Sequence, residues 1–162
     1  MKEIITYPND ILREECLPCE AFSTNVIDEV CLDIEEILKK NEEALGLAAP
    51  QIGLKARVIG FKMGLPGHRD KKIVIMKDPV IIYKVDSHAA LAEQCLSLPG
   101  EEVTIFRPRM VGIEYFTLGR EDRVSWTFTD VAAIATQHEI DHLNGKLIID
   151  YKGEYNEYGH TS

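Results

Sequence analysis

The sequence predicts an α+β fold, with two helices bracketing a middle built from antiparallel strands. Three observations point there. Apolar residues recur at helical spacing in two separated segments, and short runs rich in Val, Ile, Tyr and Phe lie between them. Those runs are divided by Gly and Pro turn signals rather than by further helices. The chain has 162 residues, enough for a sizeable core, and no linker, repeat or low-complexity tract divides it. Residues 1–162 therefore read as one domain.

The first helix follows the cap candidates Ser23, Thr24 and Asn25. Val26, Ile27, Val30, Cys31, Ile34, Ile37 and Leu38 form its apolar stripe, with Asp28, Glu29, Asp33, Glu35 and Glu36 between them. It is an amphipathic N-terminal helix lying on a core. It ends near Lys39-Lys40-Asn41, where cations suit the negative end of the helix dipole. Strands are expected over residues 57–61, 73–76, 80–85, 103–106, 110–116 and 123–128. Turns are expected at Gly64-Leu65-Pro66-Gly67, Asp78-Pro79, Pro99-Gly100 and residues 118–122. A second helix runs from Thr129 or Asp130 to about Leu143, and Gly145 stops it.

Composition narrows the function. Lys and Arg number 18 against 27 Asp and Glu, a formal charge of −9. Nucleic-acid and membrane-surface modules rely on clustered cations, so neither partner is expected. No apolar run reaches the roughly 18 residues of a membrane span. The opening MKEIITYPND lacks the sustained apolar stretch of a signal peptide. A cytoplasmic location with reduced thiols is expected. The four cysteines, Cys16, Cys19, Cys31 and Cys95, are too few and too clustered for a disulfide framework.

The second helix carries Gln137-His138-Glu139-Ile140-Asp141-His142. Residues four apart share a helix face, so His138 and His142 present two imidazoles to one point. Such a pair is a clamp for a divalent transition metal. Glu139 lies beside the first imidazole, placed to take a proton from a water at the metal and hand it on. This is the HExxH pattern of metal-assisted hydrolysis; the alternative is a surface helix that carries two histidines without function. A hydrolytic site needs a third ligand, for which Cys95, the other cysteines, His68, His88, His160 and the carboxylates are candidates. Cys95 stands out because residues 93–100 read as a short loop-like segment between strands, where a thiolate can face a pocket. Its other reading is a buried, inert thiol. Cys16-Leu17-Pro18-Cys19 lacks a second pair, Cys31 lies on the apolar stripe, and His68, His88 and His160 read as solvated. In the segment from Leu45 to Gly53, Gly46 lets backbone approach a partner closely. Pro50 favours an extended Ala49, either as an exposed ledge or as a tight loop packed on the sheet.

Together these segments resemble the peptide deformylases, whose motifs are a GxGxAAPQ stretch, an EGCLS stretch and QHExDH near the carboxyl end. Here they read Ala44-Leu45-Gly46-Leu47-Ala48-Ala49-Pro50-Gln51, then Glu93-Gln94-Cys95-Leu96-Ser97, then Gln137 to His142. The likeness extends from Tyr7-Pro8 to Asp150. The expected architecture is antiparallel β-sheets packed around a central metal-binding HExxH helix. The resemblance implies that Cys95, His138 and His142 bind one divalent metal ion, with water as the fourth ligand. That ion is Fe²⁺ in the family, with Zn²⁺ or Ni²⁺ as substitutes in a purified sample. Glu139 is then the general acid/base, and the amide of Gln51 and the N–H of Leu96 stabilise the oxyanion. The implied partner is an N-formylmethionyl peptide, lying as a strand beside Leu45 and Gly46 and held in part by the backbone of Gln94. A hydrophobic pocket takes its first side chain, and formate is released. Arg107-Pro108 is similar to a family Arg-Pro pair, so Arg107 is expected to pair with Asp141 and fix the metal helix. The alternative is two surface charges.

Two positions depart from the family pattern: Ala44 stands at the first motif's leading glycine, and Gln94 at the glycine of the second. A methyl at Ala44 narrows the groove mouth or conflicts with a positive φ, and Gln94 fills space beside the cysteine. The chemistry is expected to be retained while peptide choice and rate shift. The short polar tail, residues 151–162, differs from relatives with a long carboxyl-terminal helix. With the negative charge, it weakens any inference of ribosome docking. Two competing readings are a relative with shifted acyl or peptide specificity and a metal-loaded, non-catalytic binder of peptide N-termini. Glu139 and Gln51 argue against the binder, which needs no proton shuttle. A generic HExxH protease leaves the Cys95 segment without a role.

Overall fold

Nine regular elements follow one another in the computed structural model, which describes residues 2–64 and 71–153. Helix α1 spans Thr24–Lys40. Strands β1 (Gly46–Ala48), β2 (Val58–Gly64), β3 (Lys71–Lys84), β4 (His88–Cys95), β5 (Leu98–Pro108), β6 (Met110–Phe116) and β7 (Arg123–Thr129) come next, and α2 spans Asp130–Leu143. Most of the turn expected at Gly64-Leu65-Pro66-Gly67, together with His68, His160 and tail residues 154–162, lies outside the described residues. No described helix is long and apolar enough to cross a membrane.

Five strands form one antiparallel sheet in the order β1-β2-β3-β6-β7, and β4 and β5 form a separate two-stranded ribbon. Side chains alternate across a sheet, so successive residues serve opposite faces. Val58 and Ile75 pack with Ile34 and Leu38 of α1. Their neighbours Ile59, Phe61 and Met76 pack instead with Ile140 and Leu143 of α2. The sheet therefore lies between the two helices. The ribbon has its own small core, in which Cys95, Leu98, Val103 and Ile105 meet Leu12, Leu147 and Ile148.

Helix α1 buries Ile27, Val30, Cys31, Ile34, Ile37 and Leu38, whereas Val26 at its first turn is exposed. Ser23 occupies the N-cap position, but its side chain makes no capping hydrogen bond. Helix α2 follows β7 without a loop and buries eight residues, among them Gln137, Glu139 and His142. A helix buried nearly all round must satisfy its polar side chains internally, which concentrates chemistry there. Gly145 ends it at φ 68°, donating its N–H to His142 O, a left-handed conformation that suits glycine.

Two local expectations need correction. The Asp78-Pro79 turn is a bulge within one strand: Asp78 takes φ 47°, and the register slips between Lys77 and Val80. β3 pairs with β2 before this point and with β6 after it, so the proline sits where the ladder changes partner. Cys95 is not in a loop, because residues 88–94 form a strand that the spacing does not reveal. The alternation in this strand is muted by alanines at 89, 90 and 92, and Cys95 ends it opposite Leu98, with Leu96-Ser97 as the turn. Of the two readings of the segment around Pro50, the packed one holds: Ala49–Ile52 forms a buried 3-10 turn, not an exposed ledge. Its small and apolar side chains have core to fill, and the Gln51 side chain accepts the Ala48 N–H at 2.8 Å.

Candidate active site

Helix α2 stacks His138 and His142 one turn apart, ring centroids 5.2 Å from each other, and the end of β4 brings Cys95 to them. Cys95 Sγ lies 3.2 Å from His142 Nε2, and one ligand atom from each of the three residues lies within 4.8 Å of the others. A thiolate and two imidazoles suit a divalent transition metal. Two buried atoms are left without a hydrogen-bond partner here, His142 Nδ1 and Glu139 Oε2. Burial holds His142 well below its usual range, so it is a neutral imidazole rather than a cation. At His138 burial opposes the charge, but hydrogen bonds to Cys95 and Glu93 outweigh it and raise the imidazolium to about 10. Metal binding at such a group displaces a proton.

A buried charged cluster supports the histidines. Glu93 Oε2 accepts a hydrogen bond from His138 Nδ1 at 2.8 Å, which leaves Nε2 facing the cluster. Arg107 clasps Glu93 through two hydrogen bonds of 2.6 and 3.0 Å and reaches Asp141 at 2.8 Å. Tyr151 donates its hydroxyl to Asp141 at 2.7 Å, and its ring lies 5.0 Å from the Arg107 guanidinium. Arg107 is 4% exposed, so Arg107 and Asp141 are not a pair of surface charges. Burial raises the Glu93 carboxyl, but His138 and Arg107 outweigh that and hold it below its usual value. Sequence reasoning missed Glu93 and Tyr151. For Glu93 a signal existed, since residues two apart on a strand share a face and Cys95 is two positions on.

The 3-10 turn at Ala49–Ile52 directs Gln51 at the same point. Its Nε2 donates to Ser97 Oγ at 3.0 Å and, more weakly, to Cys95 Sγ at 3.6 Å. Ser97 was also missed, and it fixes which way the amide points. Gly46 packs directly on Glu139, where an added Cβ would overlap Oε1. Burial pushes the Glu139 carboxyl up to about 7.

A groove of about 520 Å³ opens over these groups. Leu45 and Gly46 line it on one side and residues 91–96 on the other, while α2 contributes Val131, Ile134 and Ala135. Among the described residues β1 bonds only to β2 and β4 only to β5, which leaves each strand along the groove with an edge that no described strand pairs. Gln94 is exposed, with its amide on Glu102 across the ribbon at 2.9 Å. Ala44 is buried in the α1 core, and the conflict with a positive φ does not arise: among described non-glycine residues only Asp78 and Asp130 have one. The remaining candidates lie elsewhere. Cys31 is core, burial pushes the thiols of Cys16 and Cys19 up to about 11 and about 12, and His88 opens β4 beside Asp86, 3.7 Å away.

The polypeptide deformylase family model matches residues 1–156. The chain belongs to this family. It is 34% identical to a peptide deformylase of Chlorobium phaeobacteroides, over 89% of this chain and 75% of that one. With a Bartonella tribocorum peptide deformylase the identity is 33%, covering 93% and 84%. Among solved structures, a probable peptide deformylase from Synechococcus phage S-SSM7 superposes with a TM-score of 0.83 at 30% identity, covering 93% and 99%. The Ehrlichia chaffeensis peptide deformylase gives 0.85 at 25% identity, covering 95% and 89%. These relatives share the mixture of helices and antiparallel sheets. The deformylase activity, removal of the N-formyl group from nascent N-formylmethionyl peptides, is a metal-dependent hydrolysis, and Cys95, His138 and His142 are a group able to hold the metal.

Proposed function

We propose that one catalytic domain, residues 1–162, deformylates peptides in the cytoplasm through the cluster on α2 and β4. The observation that carries this reading is the buried, unpartnered carboxylate oxygen of Glu139 beside the Cys95–His138–His142 group. Cys95, His138 and His142 would hold a divalent ion, whose chemistry there would be to acidify a water and polarise the formyl oxygen. Fe²⁺ fits the family's use of this donor set, and Zn²⁺ or Ni²⁺ are substitutes that the same thiolate and imidazoles accept. Glu139 takes the proton from the attacking water and delivers it to the departing amine nitrogen. The Gln51 N–H now directed at Cys95 Sγ, with the backbone N–H of Leu96, stabilises the charge that develops on the formyl oxygen, each worth about 3 kcal/mol. Arg107, Asp141 and Glu93 hold His138 and its helix in register.

The peptide enters as a strand between the open edges of β1 and β4, meeting the backbone of Leu45, Gly46 and Gln94, as extended peptides do at other sheet edges. Its first side chain occupies the apolar stretch formed by Leu91, Val131, Ile134 and Ala135. A solved class I type b peptide deformylase from Acinetobacter baumannii, similar to this chain at 28% identity and TM-score 0.80, is bound to Met-Ala-Ser, which supports a peptide in this groove. The acidic overall charge favours neither nucleic acid nor docking on the ribosome.

The test is formate release from formyl-Met-Ala-Ser by anaerobically prepared, metal-defined protein. Turnover that disappears on chelation and returns with Fe²⁺ is expected. One metal per chain with no formate from any formyl peptide would overturn the proposal in favour of a binder of peptide N-termini. Gly46→Ala tests the geometry further. Its methyl must displace the Glu139 carboxylate, so kcat should fall by roughly 10²-fold, in the range of a misplaced proton-transfer group, with metal content unchanged. Unchanged kcat would mean that Glu139 need not sit against β1.

A further inference from the structure

We infer that the protein has a second ligand site, a cleft that takes a small amphiphilic carboxylate, an acid group on an apolar or aromatic body. The cleft, of about 400 Å³, shares no described lining residue with the groove over Glu139. Met63, Leu118, Trp126 and Phe128 form its apolar walls, and the β3 residues from Lys72 to Ile75 line it in succession. Neighbouring residues of a strand face opposite sides of the sheet, so a cleft lined by such a run follows the edge of the strand. The pairing agrees. β3 runs beside β2 from Lys71 to Lys77 but meets β6 only from Lys77 onward. The β6-side edge of residues 71–76 is therefore unpaired among the described residues, and alternate backbone N–H groups there open onto the cleft.

The polar groups of the cleft select the ligand. Tyr115 lines it at only 7% exposed, and its hydroxyl has no hydrogen-bond partner among the described residues. A buried phenol ordinarily finds one. Lys72 is exposed at the rim and forms no ion pair with a described carboxylate. Trp126 is 59% exposed, and its indole N–H has no acceptor among the described residues. Glu35, the one carboxylate among the described lining residues, is held by Lys39 at 2.6 Å. Hydrogen-bond donors and an unpaired ammonium thus surround apolar walls, while the local acid is already neutralised. Small-molecule sites are built this way, mostly apolar with a few placed polar groups. An anion with an apolar body satisfies both parts. A cation finds no unpaired acid there, and a hydrocarbon leaves Tyr115 without a partner.

Trp126 is the only tryptophan of the chain, so tryptophan emission reports on this cleft directly. Titrating the metal-loaded enzyme with 4-phenylbutyrate or with decanoate should shift that emission to the blue and saturate, as the indole passes from water to an apolar contact. The two acids separate aromatic from straight-chain ligands. The isosteric 4-phenylbutyramide and the cationic 4-phenylbutylamine should bind about tenfold more weakly than 4-phenylbutyrate, the loss of one charge-assisted contact. Tyr115→Phe and Lys72→Gln should each weaken 4-phenylbutyrate by a similar factor and leave turnover of formyl-Met-Ala-Ser unchanged, which shows the fold intact. Saturating Met-Ala-Ser should not displace the acid, because the two sites share no residue. The absence of a saturable shift with either acid, equal affinity for acid and amide, or an affinity that survives both substitutions would overturn the inference. Displacement by Met-Ala-Ser would also overturn it, by placing the acid in the groove. So would emission that shifts with protein concentration alone, which would give the cleft to a second copy of the chain.

Discussion

Glu139→Gln should lose roughly 10²- to 10⁴-fold in deformylation while retaining its metal and its fold, the loss typical of removing a positioned general acid/base. The substitution preserves shape and changes only the ability to carry a proton. A second readout follows from burial. Desolvation is the main cause that lifts the Glu139 carboxyl to about 7, above its value in an unfolded chain. A carboxyl raised in this way stabilises the folded state fully below the unfolded value, and its contribution is lost as pH climbs through about 7. Metal-stripped wild type should therefore lose thermal stability between about pH 5 and pH 8 more steeply than metal-stripped Glu139→Gln, which has no such group to ionise. Formate release and thermal melts at the two pH values check both. A variant retaining more than about a tenth of wild-type turnover would remove Glu139 from proton transfer.

Arg107→Ala should be the most damaging substitution away from the metal ligands. It leaves Glu93 and the partly buried Asp141 without their cation, and breaking a buried ion pair from one side costs about 3–5 kcal/mol. In a chain of this size that lowers the thermal midpoint by roughly 10 °C. Because Glu93 orients His138, metal affinity should also fall, by about 10- to 100-fold. Arg107→Lys should rescue only partly, since one ammonium cannot reproduce the fork that meets two oxygens of Glu93 and one of Asp141. Thermal melts and competitive metal titration measure the two effects. An unchanged metal affinity in Arg107→Ala would show that the cluster supports the fold alone.

The site's parts differ in how far they could be read from the chain. His138, Glu139 and His142 are a local matter: 3.6 residues per turn places them together wherever the helix sits. Gly145 as a stop and the apolar stripe of α1 are local in the same way. Cys95 is different. Its surroundings mark it among several ligand candidates, but the ligand role itself comes only from the likeness of three ordered motifs to a known family. Strand β4 escaped notice because alanines blur its alternation, and with it went the face that Glu93 and Cys95 share.

The sequence by itself determined the fold class, the two helices, the alternation that sends Val58 and Ile59 to opposite faces, and the spacing of His138 and His142 on α2. All of these follow from short-range geometry, the helical turn and the pleat. Only the tertiary structure decided that the end of β4 meets α2, that Arg107 is buried between Glu93 and Asp141, and that Gly46 lies against Glu139. Those contacts join residues far apart in the chain. They are selected by how the whole core packs, a cooperative quantity that no local window of sequence contains.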